Sequence, residues 1–293
     1  MNLQRRSFIE SAAALGGVSA LSNSFLNAEV QLKGHFQHSM VYWCFKNFAE
    51  KWDIEKQCQI AKKLGIKSIE LSKPDEHWQT MKKHDLTCAI VGSHGFKDGP
   101  NHKKNWDKCR EIILKRLDEA KNFGCPNVIT FTGFSNGIDP EEGGDNCVQF
   151  WKSIIGKFEK AGVNLTIEHL NSRATESKMH GHPGYQGDHV DYCVDLIKRV
   201  GSTNMKLLFD VYHVQIMDGD LIRRIKEHKD VIGHIHTAGN PGRHELDDTQ
   251  EINYPAVMRA LKDTGYKGFI GHEFIPSRNP EEGLREAVTI CDV

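Results

Sequence analysis

Short apolar runs alternate with longer amphipathic stretches from about residue 39 to the C-terminus. The runs are SMVYWCF (39–45), IKSIEL (66–71), LTCAIVGSH (86–94), NVITFTG (127–133), NLTIEHL (164–170), MKLLFDVYH (205–213), VIGHIHTA (231–238) and GFIGHEF (268–274). Their length and β-branched or aromatic content predict eight strands. Helical spacing marks segments such as 101–123, 145–161, 189–200 and 253–264 between them. The recurring KKLGIKS, NFGCPN, KAGVNL and DTGYKG place glycine where a helix stops before a strand begins. Eight strands alternating with helices predict a single-domain α/β fold, a parallel (β/α)8 TIM barrel over residues 29–293. An open doubly wound sheet would carry a glycine-rich phosphate loop after an early strand, and the chain has no GxGxxG.

The N-terminus breaks this rhythm. NLQRRSFIE precedes SAAALGGVSALSNSFLNA, a weakly apolar run, and Arg5-Arg6 with Phe8 predicts a twin-arginine export signal over residues 1–28, cleaved after Ala28. The expected location is periplasmic or otherwise exported. No later run approaches the ~18 apolar residues of a membrane span, so no membrane association is expected of the mature chain. The formal net charge of −1 provides no basic field for a phosphate backbone, so nucleic acid is not an expected partner. The 8 cysteines include no CxxC pair and fall mostly within expected strands and helices, where they read as small buried hydrophobes.

In such a barrel the chemistry sits at the C-terminal ends of the strands. Glu168 in TIEHLN, Asp210 in LLFDVYH, His236 in GHIHTA and Glu273 in GHEFIP stand at the mouths of the last four expected strands. Any one of them alone would pass for a helix cap or a solvated loop residue. Three converging carboxylates resist ionising together unless a cation lies among them. The oxygen-rich donor set suits one divalent ion, Mn²⁺ or Mg²⁺, with Co²⁺ or Zn²⁺ also compatible.

The segments IEHLNSR, LLFDVYHVQIMDGDL, HIHTAGNPGRHE, EINYPAVMRAL and GYKGFIGHEF resemble, in order and spacing, the hydroxypyruvate isomerase branch of the xylose-isomerase-like sugar isomerase/epimerase superfamily. The resemblance is strong over roughly 160–276, weaker over the earlier strands and absent from the export segment. It implies that Glu168, Asp210, His236 and Glu273 hold the metal, that Glu168 and Glu273 also carry protons, and that His213 contacts substrate oxygens. That branch tends to carry Gln where His236 stands, whereas keto-sugar 3-epimerases of the superfamily carry His. The implied activity is isomerisation or epimerisation of a small keto acid or keto-sugar through an enediolate. A homo-oligomer in which a neighbouring subunit completes the mouth is compatible with the family.

Further residues are candidates for substrate binding. The Asn240-Pro241-Gly242 turn would present Arg243 over the mouth, where a guanidinium grips a carboxylate or hydroxyls. Arg173 follows Glu168 on a loop, and His94 ends the third run. His234 shares strand parity with His236 and is expected one layer deeper, whereas His169 and His272 should face the helices. The run MHGHPGY (179–185) reads as a lid or pocket wall, and Tyr42, Trp43 or Phe131 as an apolar side of the pocket. Two other functions use the same residues: a lyase or hydrolase acting on 3-keto-glycosides, and a catalytically silent sugar-binding barrel.

Overall fold

The computed structural model of this 293-residue chain describes residues 31–176 and 180–293. The export segment expected at 1–28 and its cleavage site lie outside the described residues, as does Met179 of the His-x-His run.

Each apolar run contains a strand: β1 (Gln37–Val41), β2 (Ser68–Glu70), β3 (Ile90–Val91), β4 (Asn127–Thr130), β5 (Asn164–Glu168), β6 (Met205–Asp210), β7 (Ile232–Thr237) and β8 (Phe269–His272). They form one parallel sheet in the order β2-β1-β8-β7-β6-β5-β4-β3. An isolated parallel bridge between Ser68 and Thr87 crosses the seam between β2 and β3, where Leu71 N–H also donates to the Ile90 carbonyl at 3.0 Å. The sheet thus curls into the expected barrel.

Several boundaries move from their expected places, for physical reasons. The chain leaves the sheet at Val41 and turns into α1 (Tyr42–Asn47). β3 shrinks to two residues because side chains take over its neighbours' backbone bonds: Ala89 N–H donates to Ser68 Oγ at 2.7 Å, and the Ala89 carbonyl accepts from Asn127 Nδ2 at 2.9 Å. β6 stops at Asp210, whose carboxylate caps α7 (Val211–Met217) by accepting from Tyr212 N–H at 2.8 Å and His213 N–H at 3.3 Å.

Helices α2 (Ile54–Lys63), α3 (Pro74–Lys83), α4 (Trp106–Phe123), α5 (Pro140–Ala161), α6 (Val190–Val200), α8 (Leu221–Glu227), α9 (Tyr254–Asp263) and α10 (Pro280–Cys291) surround the strands. α4 and α5 end as anticipated, on Gly124 (φ 82°) and Gly162 (φ 67°), in the left-handed conformation that glycine adopts without strain. α5 begins at Pro140, before the expected 145, because Asp139 accepts from the N–H groups of Glu141 and Glu142. Gly143-Gly144 conceals that start in the sequence. A Cβ at Gly143 would lie 2.4 Å from the Gln186 side chain, so this glycine serves close packing and not a turn.

The main core lies between strands and helices and contains the buried, unpaired cysteines. A smaller apolar cluster of Ile90, Ile129, Phe131, Leu170, Tyr185 and Leu208 fills part of the barrel interior below the mouth. No helix among the described residues is long and apolar enough to cross a membrane.

Candidate metal and active site

Glu168 ends β5, Asp210 ends β6, His236 stands one residue before the end of β7, and Glu273 follows β8. The register pairs Asp210 with His236 across adjacent strands. All four are buried, and one ligand atom from each lies within 4.8 Å of the others. The residues expected to hold a metal are therefore brought together at one point.

His236 links this cluster to a residue that the sequence reading misses. Its Nε2 lies 2.7 Å from Glu70 Oε1, and His234 Nε2 lies 3.0 Å from the same oxygen. A carboxylate can only accept, so Glu70 holds the Nε2–H tautomer of His236 and leaves Nδ1 facing the ligand carboxylates. Nδ1 lies 2.7 Å from Glu273 Oε2 and 3.7 Å from Glu168 Oε1, yet makes no hydrogen bond of acceptable direction. A buried imidazole nitrogen close to carboxylate oxygens but poorly aligned with them fits a shared cation better than a pairwise bond. The donor set thus fits a divalent ion.

Burial raises the Glu168 carboxyl to about 7, with the nearby His236 acting against it and the Glu273 and Asp210 charges acting with it. Burial also works against ionisation of Glu273, but Arg243 and His236 more than offset it and hold that carboxyl well below its usual range. Glu70 is likewise depressed, because His234 and His236 outweigh its complete burial. Glu168 is thereby held near neutral pH, and Glu273 far below it. A bound divalent charge would pull every one of these carboxyls further down.

Arg243 is buried. It donates from Nη2 to Glu273 Oε2 at 2.5 Å and to Asp210 Oδ2 at 3.2 Å, with its guanidinium over the Tyr212 ring at 5.4 Å. The turn delivers it to the mouth as expected, but the carboxylates it grips belong to the protein. Trp43 Nε1–H donates to the second oxygen of Glu273 at 3.1 Å.

Three of the candidate substrate-binding residues do not line the cavity beside the carboxylates. His213 is fully buried behind the site: Asn171 N–H donates to its Nδ1 at 3.1 Å, which places the proton on Nε2, 3.6 Å from Asp210 Oδ2 and 3.2 Å from Arg243 Nη1, so it packs behind these groups instead of lining the cavity. Arg173 is exposed and donates to the Ile216 carbonyl at 3.1 Å, away from the mouth. His94 ties β3 to β4 through Thr130 Oγ1 at 3.0 Å and meets Phe131 edge-on, supporting a wall from behind. His234 sits one layer deeper, as expected. His169 bonds the Leu208 carbonyl at 3.2 Å, and His272 pairs with His38 and Thr237, both away from the metal cluster.

Above the carboxylates opens a cavity of about 360 Å³, bounded by Glu168, Glu273 and Arg243 on one side and by Trp43, Leu71, Phe96 and Phe131 on the other. His180 and His182 also face it, so the MHGHPGY run supplies part of the wall. A larger hollow of about 650 Å³ lies at the opposite end of the barrel, near Leu32, Phe36 and Leu86. It lacks the converging carboxylates of the smaller one.

Comparison with known proteins agrees with this geometry. The family model described as xylose isomerase-like TIM barrel matches residues 58–291. Hydroxypyruvate isomerase of Escherichia coli (strain K12) is 37% identical over 238 residues, covering 81% of this chain and 84% of its own. A 2-oxo-tetronate isomerase of Cupriavidus necator is 39% identical over 123 residues, or 42% of this chain and 44% of that protein. Other alignments to curated relatives also span less than two thirds of the relative, covering 49% and 63% of proteins from Danio rerio and Homo sapiens. Among solved structures, an AP endonuclease, family 2, from Brucella melitensis superposes with a TM-score of 0.75 at 25% identity, over 85% of this chain and 96% of that one. With the barrel, the four clustered candidate ligands and a family match across most of the described residues, this chain belongs to the xylose isomerase-like TIM barrel family.

Proposed function

We propose that the protein is a divalent-metal-dependent isomerase or epimerase acting through an enediolate on a small keto acid or keto-sugar. The observation that carries this reading is the convergence of two buried glutamates with Asp210 and His236 at the floor of a cavity. The isomerase relatives point the same way.

Glu168, Asp210, His236 and Glu273 would hold the ion, and its Lewis acidity lowers the cost of removing a proton from a carbon beside a carbonyl. The remaining work falls to the chain. Glu168 and Glu273 both border the cavity, so both can reach a substrate placed there. One removes the proton. The other returns a proton to the neighbouring carbon in isomerisation, or to the opposite face of the same carbon in epimerisation. Trp43 and Arg243 restrict the Glu273 carboxylate to one orientation by bonding both of its oxygens. The aromatic side of the cavity excludes water, which strengthens each charge inside.

The test is elemental analysis and calorimetric titration of the purified protein with Mn²⁺ and Mg²⁺, followed by product analysis on hydroxypyruvate and keto-sugars. About one ion per chain, and interconversion without release of a fragment, are expected. Absence of metal binding, or release of an aglycone from a 3-keto-glycoside, would overturn the reading. For the leader, we propose export through the twin-arginine route. Replacing Arg5 and Arg6 with Lys should retain the precursor in the cytoplasm, and unimpaired export would refute it.

A further inference from the structure

The connection between β5 and α6 contributes a wall that the reaction itself does not require. Its end at 180–185 is fastened to the barrel. His182 N–H donates to the Asn171 carbonyl at 2.7 Å, and a Cβ at Gly181 would fall 1.8 Å from the Ala174 carbonyl oxygen, so backbone packs directly on backbone. The Tyr185 hydroxyl donates to the Glu168 carbonyl at 2.8 Å and accepts from Thr132 N–H at 3.0 Å. Asn171 also places its Nδ2 2.8 Å from His213 Nδ1, so one residue holds both this wall and the His213 ring.

His182 faces the cavity from this segment, with its ring edge-on to Phe96 at 4.6 Å and to His213 at 5.8 Å. Among the described residues neither ring nitrogen has a hydrogen-bond partner. Nδ1 is sealed from solvent, which leaves Nε2 as the nitrogen that meets the cavity. Burial, with Arg243 adding to it, lowers this imidazole to about 4, so at neutral pH it is uncharged and its Nε2 can donate or accept according to tautomer. A polar group held in the cavity wall beside Phe96 and without a partner is the arrangement that confers orientation and specificity in ligand pockets.

The cavity of about 360 Å³ falls in the range of pockets that enclose ligands larger than a three-carbon acid. A three-carbon keto acid engaged at the carboxylates would fill only part of that volume. A longer chain bearing hydroxyls would extend to His182. We propose that the His180–His182 segment is a specificity wall in which His182 Nε2 hydrogen-bonds a hydroxyl beyond the reacting carbons, selecting polyhydroxylated keto-sugars or sugar acids over a three-carbon keto acid. The inference rests on the reaction class proposed above.

The experiment compares full-length wild type, His182→Ala and His182→Gln, each saturated with Mn²⁺, on hydroxypyruvate and on D-allulose. Binding is read by equilibrium dialysis and turnover by solvent-deuterium incorporation. Loss of one neutral hydrogen bond predicts a rise of roughly tenfold in the Kd and KM for D-allulose in the alanine variant. Hydroxypyruvate should stay within about twofold, and glutamine, which returns a polar atom near the Nε2 position, should recover most of the loss. Equal weakening of both probes, no weakening of either, or failure of the wild type to bind D-allulose would overturn the proposal. The two readings fail separately. Binding of D-allulose that depends on His182 without deuterium incorporation would refute the reaction class alone, whereas incorporation indifferent to His182 would refute the wall alone.

Discussion

At the mouth of the barrel, strands β5 to β8 deliver Glu168, Asp210, His236 and Glu273, whereas β1 to β4 are followed by Trp43, Leu71, Phe96 and Phe131. One half is charged and the other apolar. The charged half has long, well-paired strands of five, six, six and four residues, which fix its ligands to a rigid sheet. In the apolar half β1 has five residues and β4 four, but β2 only three and β3 two, and the wall residues stand beyond the strand ends, Trp43 on α1 and the others outside regular structure. Leu71 there adopts φ 50°, an uncommon backbone conformation for a non-glycine residue. The better-paired strands carry the proposed ion and proton chemistry, and the shorter ones border the proposed substrate wall. Glu70 crosses the divide, since it belongs to β2 yet orients His236 on β7.

The comparison can be broken by substitution. The largest effect is expected in the charged half: Glu168→Gln and Glu273→Gln should each lower turnover by roughly 10² to 10⁴, the usual worth of a positioned acid or base. Metal binding should weaken yet survive at saturating ion in steady-state assays, because the amide keeps an oxygen. Next comes the residue that links the halves. Glu70→Gln should weaken metal affinity by roughly 10- to 100-fold in calorimetric titration, as expected for a group that orients a ligating imidazole. Unchanged affinity would mean that Glu70 is only a structural partner of His234.

Both halves should respond to acid. Burial holds His38, His94 and His169 at about 4, below their usual value. The unfolded chain takes up these protons below about 6.5 while the folded one does not, so stability is full above that pH and declines as the pH falls toward 4. Melting temperature followed over that window should drop by several degrees. A flat profile would place these imidazoles in a more polar setting.

In the apolar half, Trp43→Phe removes a single hydrogen bond to Glu273 and should reduce turnover by up to about tenfold. The smallest effect is expected at Arg173→Ala. Its contact with the Ile216 carbonyl lies away from the cavity, and turnover should stay within about twofold.

The four ligands are legible in the sequence because an acidic or imidazole side chain after a run of apolar strand residues has few structural reasons to be there, and four in successive strands reinforce one another. The glycine stops at Gly124 and Gly162 are legible because a local φ requirement leaves a local mark. Glu70 is not. IKSIEL reads as an ordinary half-polar strand, and its pairing with His234 and His236 spans most of the barrel, which no local pattern encodes. The one available signal is that Glu70 shares strand parity with Ser68, whose hydroxyl receives the Ala89 N–H. Arg173 and His213 show the opposite failure. Both lie close in sequence to ligands, but whether such a side chain points to the mouth depends on the backbone after the strand ends. There Asp210 caps α7, and His213 is turned inward behind Arg243.

The central claim is that two glutamates on one metal site divide a proton transfer between them. Exchange of the substrate's α-hydrogen with deuterated solvent, measured on metal-saturated wild type, Glu168→Gln and Glu273→Gln with a substrate the wild type converts, tests it most directly. The account predicts that one variant loses exchange altogether. The other should keep exchanging while net product formation stalls, because an enediolate formed by the intact base can be reprotonated where it began. Wild-type exchange and turnover in both variants would contradict the account, even with the barrel and its metal intact.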